Sequence, residues 1–209
     1  MAKTIATTKT MLLRQARRLA DRFVAKFPKA GKNLPKAAVQ SVLDHEMEPM
    51  LVEMFEVLRR RVEAVSNLIV RKVRVDRTRT NQQALEATGR VQYTDCEVVD
   101  AMPKTSADEV EVMFFKPDLS ERSGYISDDD LEKEFELRGL KPADPISVAA
   151  VNEADTAFAD EKPHGTHWKD AKGNWCCAIF GRWRGERKVF VHRYGSAWID
   201  GWWFAGVRK

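Results

Sequence analysis

The sequence predicts an α+β fold in which a helical N-terminal segment precedes a domain of mixed strands and helices. In residues 1–75, apolar side chains recur three and four positions apart, which is the spacing of one helix face. After Pro163 the pattern changes to short alternating stretches separated by turn residues. The predicted order is strands, two helices and then several more strands, which is not a βαβ repeat.

Residues 1–75 form the predicted helical segment. One helix is expected to end at Pro28 and Gly31, and a second to begin near Asn33 and Pro35, since proline is tolerated in a first helical turn. Further apolar residues then have the spacing of a short coiled-coil seam. The apolar positions are Leu12, Ala16, Leu19, Phe23 and Phe27 in the first helix, and Leu51, Phe55, Leu58, Val62, Val65 and Ile69 in the seam. A hairpin that folds on itself and one that pairs with a second copy both remain open.

A polar stretch at residues 76–89 predicts a domain boundary, so that the second domain comprises residues 76–209. Two strands are predicted near its start, at residues 97–101 and 110–116. The second of these alternates charged and apolar residues and then becomes fully apolar, as a strand entering a core does.

Two helices are predicted after these strands. Ser127 precedes three aspartates and has the chemistry of an N-cap, with acidic residues favourably placed in the first turn. Gly139 ends this helix, and Asp144 with Pro145 begins the next. Short strands then follow, with a turn at residues 172–174.

The net charge of +4 conceals an asymmetry between the two parts of the chain. Residues 1–75 contain 16 Lys and Arg against 7 Asp and Glu, whereas residues 76–209 contain 19 against 24. A basic helical segment can meet nucleic acid, an anionic membrane surface or an acidic partner, or it can form a solvated face. Nucleic-acid binding through residues 1–75 is therefore one hypothesis.

The sequence contains no sign of export. No run of about 18 apolar residues is present, so no membrane span is expected, and the basic N-terminal residues are not followed by a charge-free apolar stretch. The three cysteines, Cys96, Cys176 and Cys177, form an odd set without metal-type spacing, which argues against a disulfide framework. We therefore expect a cytoplasmic location.

The last 35 residues consist of a regular framework interleaved with residues that share no chemistry. The framework positions are Phe180, Trp183, Val189, Val191, Trp198, Trp202 and Trp203. Arg187, Arg193 and Arg208 also belong to the framework and are expected to pair with Glu186, Asp200 or backbone carbonyls. The irregular positions are Cys177, Ile179, Gly181, Arg184, Gly185, Lys188, Phe190, His192, Tyr194, Gly195, Ser196, Ala197, Ile199 and Gly201. No catalytic constellation mixes residue types so freely, whereas a binding surface of changeable content can.

Strand alternation places the two sets on different faces. Successive side chains of a strand point to opposite sides, so Val189 and Val191 are expected to face the core. The opposite face then carries Lys188, Phe190, His192, Tyr194, Cys177, Ile179 and Gly181. If the irregular residues share one exposed surface, most replacements there change stability by no more than about 0.5 kcal/mol.

The C-terminal residues resemble a known family. The run WIDGWWFAGVR at residues 198–208 is similar to the C-terminal signature of C-type-lectin-like domains of the formylglycine-generating-enzyme type, with Gly206-Val207-Arg208 in place of a Gly-Phe-Arg ending. Residues 165–209 resemble, more specifically, the variable region of a diversity-generating retroelement target protein. The resemblance in fold extends over about residues 90–209 and leaves residues 1–75 outside it.

In such systems a reverse transcriptase copies a template repeat with errors at adenines, and the altered copy replaces the end of the target gene. The resemblance implies a non-enzymatic, hypervariable ligand-binding protein on a C-type lectin fold. Its variable region would be residues 175–203, its ligand-binding face the fourteen irregular residues, and its ligand an unknown macromolecule, which we expect to be a protein. An asparagine codon altered at its adenines can encode thirteen of these residues; Lys188 is the exception.

Other functions find little support in the residues. Cys176 and Cys177 are adjacent, which is poor geometry for chelation or a relaxed disulfide, and His164, His167 and His192 lack a companion carboxylate motif. We expect no enzymatic activity, no cofactor and no bound metal. The second hypothesis for the function is a nucleic-acid-associated protein that binds through residues 1–75. The third is an oxidoreductase that uses Cys176 or Cys177. Self-association through the N-terminal helices would make a displayed surface multivalent.

Overall fold

The computed structural model describes residues 3–65, 67–119, 123–193 and 197–209, and their side chains except those of residues 3–12, 30 and 59–65. The chain divides into two compact units, Met1–Arg60 and Arg61–Lys209. No helix in the described ranges is long and apolar enough to cross a membrane.

The first unit is helical, as predicted. It contains α1 (Lys3–Ala30), α2 (Lys36–His45) and most of α3 (Met47–Val65). Pro28 lies in the last turn of α1, and Pro35 is the N-cap residue of α2, which confirms the predicted ends. None of the described side chains from residue 13 to residue 58 is buried.

The second unit contains helices and strands in a mixed order. Its helices in the described ranges are α4 (Asn81–Glu86), α5 (Cys96–Asp100), α6 (Asp128–Leu137), α7 (Pro145–Ala154) and α8 (Phe158–Glu161). Its strands are β1 (Leu68–Arg74), β2 (Val91–Thr94), β3 (Glu109–Phe115), β4 (Tyr125–Ile126), β5 (Leu140–Pro142), β6 (His164–Lys169), β7 (Trp175–Trp183), β8 (Glu186–Arg193), β9 (Trp198–Ile199) and β10 (Trp203–Arg208).

Eight of these strands form one mixed sheet. Its order is β1-β3-β10-β6-β7-β8-β2, and β5 also pairs with β10. The β10–β6 and β2–β8 pairs are parallel, whereas the other pairs are antiparallel. The strands β4 and β9 form a separate antiparallel ribbon. A large mixed sheet with helices confirms an α+β architecture.

Buried apolar residues form two clusters. Core cluster I includes Phe114, Phe180 and Val189 of the sheet together with residues of α4, α5, α7 and α8. Core cluster II includes Phe115, Ile179 and other sheet residues together with α6 and the β4–β9 ribbon. Phe114 and Phe115, like Ile179 and Phe180, are neighbours in a strand, and neighbouring strand residues point to opposite faces. The central strands are therefore covered on both sides.

Local helix starts follow the sequence closely. The Ser127 side chain accepts a hydrogen bond from the backbone N–H of Asp130 at the start of α6. The Asp144 side chain accepts one from Ser147 in the same way, and Pro145 occupies the first turn of α7. Both N-caps confirm the predictions, because a cap depends on residues only three positions apart. The strand predicted at residues 110–116 is β3.

The first strand of the second unit begins earlier than predicted. β1 pairs with β3 along its whole length, and Ile69 belongs to it, only 1% exposed in core cluster I, instead of extending the helical seam. The second unit therefore starts at Arg61, ahead of the polar stretch. That stretch includes α4, which begins with a capping box between Thr80 and Gln83.

The strand predicted at residues 97–101 is wrong. This segment lies in and just after α5, whose first turn is fixed by a hydrogen bond from the backbone N–H of Glu97 to the Asp95 side chain. Val98 and Val99 are adjacent in sequence and both belong to core cluster I. Adjacent residues point to opposite sides of a strand, whereas a helical turn lets both contact one core.

Candidate functional site

The β7–β8 hairpin confirms the predicted alternation. Ala178 pairs with Val191 and Phe180 with Val189, and all four side chains belong to core cluster I. The irregular residues of the same strands pair with one another on the other face. These pairs are Cys177 with His192, Ile179 with Phe190, and Gly181 with Lys188.

The expected exposure of this second face is wrong for four irregular residues. Cys177, Ile179 and Lys188 are only 1%, 7% and 8% exposed, respectively. A Cβ atom built at Gly181 would lie 2.7 Å from the indole ring of Trp183. The reason is that both strands lie inside the sheet: core cluster II covers this face at β7, and Tyr93 of β2 packs beside Lys188 of β8.

The remaining described irregular residues reach the surface. Arg184, Gly185, Ile199 and Gly201 are exposed, and Phe190, His192 and Ala197 are half-buried. Tyr194, Gly195 and Ser196 lie outside the described residues. The structure thus leaves seven of the fourteen predicted positions accessible among the residues it describes.

Four aromatic rings form a continuous surface beside these residues, here called the aromatic surface: Tyr93, Trp183, Phe190 and Trp202. Tyr93 stacks on Phe190 with ring centroids 5.1 Å apart, and Trp183 meets Phe190 edge-on at 4.9 Å. Trp202 lies 6.0 Å from Trp183. These contacts fix the rings, and 48% of Tyr93 remains exposed, so the surface is both ordered and accessible.

Lys188 borders the aromatic surface. Its Nζ atom lies 5.0 Å from the centroid of the Tyr93 ring and 3.1 Å from Oε2 of Glu186. The buried stem and the fixed ammonium give Lys188 a structural role, since a long cationic side chain can pack its methylenes while its charge finds partners. Lys188 is also the one irregular residue that an asparagine codon altered at its adenines cannot encode. Its packing is consistent with Lys188 belonging to the framework.

The tip of the hairpin restricts which residues it accepts. The two-residue loop consists of Arg184 and Gly185, whose φ angles are 53° and 83°. Two successive positive φ angles define a type I′ turn, which favours asparagine and glycine. Gly201 also has a positive φ, of 100°. The backbone therefore limits variation at Gly185 and Gly201, although both are exposed.

A buried carboxylate anchors the framework beneath the variable segment. Oδ1 of Asp128 accepts hydrogen bonds from Nε1 of Trp198 at 2.9 Å and from Nδ1 of His167 at 2.7 Å. The His167 ring also stacks on Trp175, with centroids 4.6 Å apart. Asp128 thereby joins the first turn of α6 to β6 and β9.

His167 faces a second carboxylate on the same helix. Its Nε2 atom lies 3.0 Å from Oε1 of Glu132, although this contact lacks the alignment of a hydrogen bond and acts through charge. Burial alone would lower the pKa of His167, but the hydrogen bond to Asp128 and the Glu132 carboxylate outweigh it, so the pKa is raised. The protonated ring is thus favoured between these two acids.

His164, three residues earlier on β6, lies in the opposite environment. Burial lowers its pKa from 6.5 to about 3. Its ring lies 4.7 Å from Phe114 and 5.0 Å from Phe158, and its Nδ1 atom contacts the carbonyl oxygen of Lys162 at 2.7 Å. A carbonyl only accepts, so Nδ1 carries the proton of a neutral ring.

The framework arginines form ion pairs, but with carboxylates other than the expected Glu186 and Asp200, which pair with Lys188 and Lys116. Nε of Arg187 lies 2.9 Å from Oδ2 of Asp160. Arg193 lies 3.2 Å from both Asp95 and Asp170, and Arg208 lies 4.0 Å from Glu111. Exposed pairs of this kind contribute little energy singly, so their role is to orient the strands.

The surroundings of Cys176 and Cys177 do not favour a reactive thiolate. Cys176 and Cys177 are free and buried, and burial raises the pKa of the Cys177 thiol, which disfavours the nucleophilic thiolate. In the described part of the chain, no group of three or more His, Cys, Asp or Glu side chains is arranged to hold a metal ion.

Sequence reasoning missed two tyrosines at the site. Tyr93 reaches Phe190 because β2 pairs in parallel with β8, although the two residues are far apart in the chain. Tyr125 pairs with Ile199 across the β4–β9 ribbon, and the two side chains are 54% and 65% exposed. The sequence offers only the aromatic residue type as a signal, because both pairings are long-range.

Comparison with known proteins gives no family assignment. No family model matches the chain, and no curated protein or solved structure is significantly similar to it.

Proposed function

We propose that the chain is a non-enzymatic, hypervariable ligand-binding protein on a C-type lectin fold. The proposal rests mainly on the difference between the two faces of the β7–β8 hairpin. One face holds the framework residues Phe180, Val189 and Val191 in core cluster I. The other face packs against core cluster II and leads from there to the aromatic surface and the accessible irregular residues. Such a division lets the content of a surface change while the core is kept.

The burial of individual residues narrows the binding face. Phe190, His192, Ala197 and Ile199 would carry most of the variation, since they are accessible and their φ angles are not positive. Arg184 is also exposed, but its φ of 53° favours asparagine or glycine there. The remaining irregular residues are limited by burial or backbone shape. The limited residues are Cys177, Ile179, Gly181, Lys188, Gly185 and Gly201. We retain Tyr194, Gly195 and Ser196 in the proposed binding face on the basis of the sequence pattern alone.

The chemistry of the surface favours a protein ligand. Aromatic side chains and arginine supply most of the energy at protein interfaces. The aromatic surface offers ordered rings, and Arg184 stands exposed at the hairpin tip beside them in sequence. Tyr93 and Tyr125 would add contacts from outside the variable region, which do not change when that region changes. We place this activity in the cytoplasm, supported by the free cysteines among the described residues.

The retroelement part of the proposal is tested in the DNA. We expect a near-copy of the codons for residues 175–203 downstream of the gene, with adenines at the irregular positions and a reverse transcriptase gene beside it. In the template repeat, adenines are expected in the codons of the accessible positions. The template codon of residue 188 need not be an asparagine codon, because the packed Lys188 side chain has a structural role. A downstream region with neither repeat nor reverse transcriptase contradicts this part of the proposal.

A second candidate function is association with nucleic acid through α1. Its described residues 13–29 contain six Lys and Arg against one Asp, all in exposed positions. Binding to phosphates would weaken steeply as salt is raised, because neutralised phosphates release counterions. Fluorescence anisotropy with labelled duplex DNA and single-stranded RNA from 50 to 200 mM salt tests this. Absent or salt-insensitive binding removes the candidate.

A further inference from the structure

Three arginine side chains converge on one carboxylate beside the tip of the β7–β8 hairpin. Oδ2 of Asp160 in α8 accepts hydrogen bonds from Nε of Arg187 at 2.9 Å and from Nη1 of Arg182 at 3.3 Å. Nη1 of Arg90 lies 3.9 Å from Oδ1 of the same carboxylate. These three arginines are here called the arginine cluster. One negative charge is thus shared by three positive charges.

Arg90 is the buried member of the arginine cluster. Its guanidinium donates hydrogen bonds to the carbonyl oxygens of Gly181 and Thr156, both at 3.0 Å, and its Nε atom has no hydrogen-bond partner. Burial lowers the pKa of Arg90, Asp160 raises it, and the charge of Arg187 lowers it again. The group still stays charged at neutral pH, and a buried charge is screened little by solvent. Arg90 therefore adds to the positive potential at its two neighbours.

Arg182 and Arg187 are the accessible members. They lie directly opposite each other in the β7–β8 ladder, and their side chains are 50% and 39% exposed. In the described part of the chain, Asp160 is the only carboxylate that either guanidinium contacts, and it occupies one nitrogen of each. The other nitrogens can donate to a second oxyanion, for which paired guanidinium donors have suitable geometry.

The cluster lies next to the aromatic surface. Trp183, which belongs to that surface, stands between Arg182 and the exposed Arg184 in sequence. Neighbouring residues of a strand point to opposite faces, so the end of the hairpin has guanidinium groups on one side and an aromatic ring on the other. A ligand that contacts the hairpin tip can therefore meet both.

The local charge differs in sign from that of the unit. Residues 155–162 and 181–188, together with Arg90, carry six Lys and Arg against four Asp and Glu. The second unit as a whole, residues 61–209, carries 23 against 25. A long polyanion such as nucleic acid would also meet the acidic remainder of the unit, whereas a short acidic segment can contact the basic region alone.

We propose that the arginine cluster, together with Arg184, binds an acidic segment of the protein ligand through its Asp or Glu side chains. The inference rests on the proposed function, since the ligand is a protein, and adds the charge of the segment that is bound. Arg182 and Arg187 are not among the irregular residues. The acidic contact would therefore persist while the variable residues change.

Fluorescence anisotropy of the full chain with fluorescein-labelled hexaglutamate tests the proposal. The unmodified chain should bind this peptide, more weakly as salt is raised, and should not bind hexaglutamine. Arg182→Gln with Arg187→Gln should weaken binding roughly tenfold or more, since two charged donors are lost. Arg182→Lys with Arg187→Lys keeps the charge and should weaken it by only about threefold. Arg184→Asn should also weaken it about threefold, and it remains informative if the double glutamine variant does not fold.

A matched control separates the arginine cluster from general charge effects. Arg74→Gln with Arg208→Gln makes the same charge change at exposed positions of β1 and β10 and should leave hexaglutamate binding within about threefold of the unmodified affinity. Near-UV circular dichroism on each variant checks that the second unit is folded. Equal weakening in the control, or an unmodified chain that does not bind hexaglutamate, overturns the proposal.

Two further outcomes are distinguished by the same assay. Labelled single-stranded hexathymidylate that binds as tightly as hexaglutamate, and is lost equally in the Arg182 and Arg187 variants, overturns the assignment to an acidic protein segment. Failure with hexaglutamate leaves the changeable face in place, because that face can bind ligands of other chemistry. A missing template repeat, conversely, contradicts the retroelement proposal and leaves hexaglutamate binding unaffected.

Discussion

At the scale of single residues, two histidines on β6 have opposite electrostatic environments. His164 lies among phenylalanine rings, and burial lowers its pKa to about 3. The pKa of His167 is raised, because Asp128 and Glu132 outweigh the effect of burial. The two residues are an odd number of positions apart, so they point to opposite faces of the sheet. One strand thus carries one histidine whose surroundings favour the neutral ring and one whose surroundings favour the protonated ring.

These shifts predict a stability maximum near pH 6.5. The unfolded chain binds a proton at His164 between about pH 6.5 and about 3, so the free energy of unfolding falls as pH is lowered through that range. The contribution of His167 has the opposite sign. It is fully present below about pH 6.5 and is lost as pH rises through the raised folded value. Urea denaturation from pH 4 to 9 measures both trends.

Two variants serve as controls for each other. His164→Gln should flatten the acidic limb and leave the alkaline limb. His167→Gln should flatten the alkaline limb; because His167 lowers the pKa of Glu132, this variant should also lose stability in the part of the acidic limb where Glu132 titrates, and keep the part due to His164. The lowered pKa of Asp144, which pairs with Arg77, adds to the acidic limb of every variant and cancels in the comparison. Identical pH profiles in both variants would contradict the assigned environments.

At the scale of elements, the β7–β8 turn stores strain at Arg184. A non-glycine residue with φ near 53° occupies a conformation that costs roughly 1–2 kcal/mol for most side chains. Asparagine tolerates it well and is preferred in a type I′ turn before glycine. Arg184→Asn should therefore raise the free energy of unfolding by about 1 kcal/mol, measured by urea denaturation.

The neighbouring positions provide the controls for this turn. Arg184→Ala retains the unfavourable conformation and should change stability by less than about 0.5 kcal/mol. Gly185→Ala introduces a Cβ at φ 83° and should lower stability by about 1 kcal/mol or more. Equal stability of the asparagine and alanine variants at residue 184 would contradict the turn assignment.

Local features of the fold could be predicted from sequence, whereas contacts across the sheet could not. The N-caps at Ser127 and Asp144 and the alternation in β7 and β8 depend on neighbouring residues, and they agree with the structure. The α5 helix was mistaken for a strand, because five residues are too few for a pattern to distinguish the two.

The candidate site shows the same limit. Alternation along one strand identifies which side chains share a face, but burial depends on what covers that face. Ile179 is buried because β7 is an inner strand and core cluster II packs over it. Lys188 lies on β8, between β7 and β2, where it packs beside Tyr93. Tyr93 joins Phe190 through the parallel β2–β8 pair, which no pattern in either segment indicates. Strand order therefore decides how much of the predicted face reaches solvent.

At the scale of the whole molecule, the position of β1 defines the smallest stable second unit. β1 pairs with β3 over seven residues and contributes Ile69 to core cluster I. A chain of residues 61–209 should therefore unfold cooperatively, with a midpoint within a few degrees of the main transition of the full chain. A chain of residues 76–209 lacks β1 and should lose at least about 3 kcal/mol, since a buried isoleucine and a strand ladder are removed.

Calorimetry on the three chains measures this difference. Near-UV circular dichroism reports whether the tryptophans of the second unit keep their packing. Equal stability of the chains that begin at residues 61 and 76 would contradict the assignment of β1 to the core. Loss of folding in both would contradict the division of the chain into two units.

The central claim is that the accessible irregular residues form a face whose content can change without loss of the fold. Two libraries of the full chain test it most directly. One randomises Phe190, His192, Ala197 and Ile199, and the other randomises the framework residues Phe180, Val189, Val191 and Trp198. Both are scored for folded protein and for binding to a panel of protein ligands. Most members of the first library should fold and differ in the ligands they bind, whereas few members of the second should fold. Equal loss of folding in both libraries, or folded members of the first with unchanged binding, would contradict it.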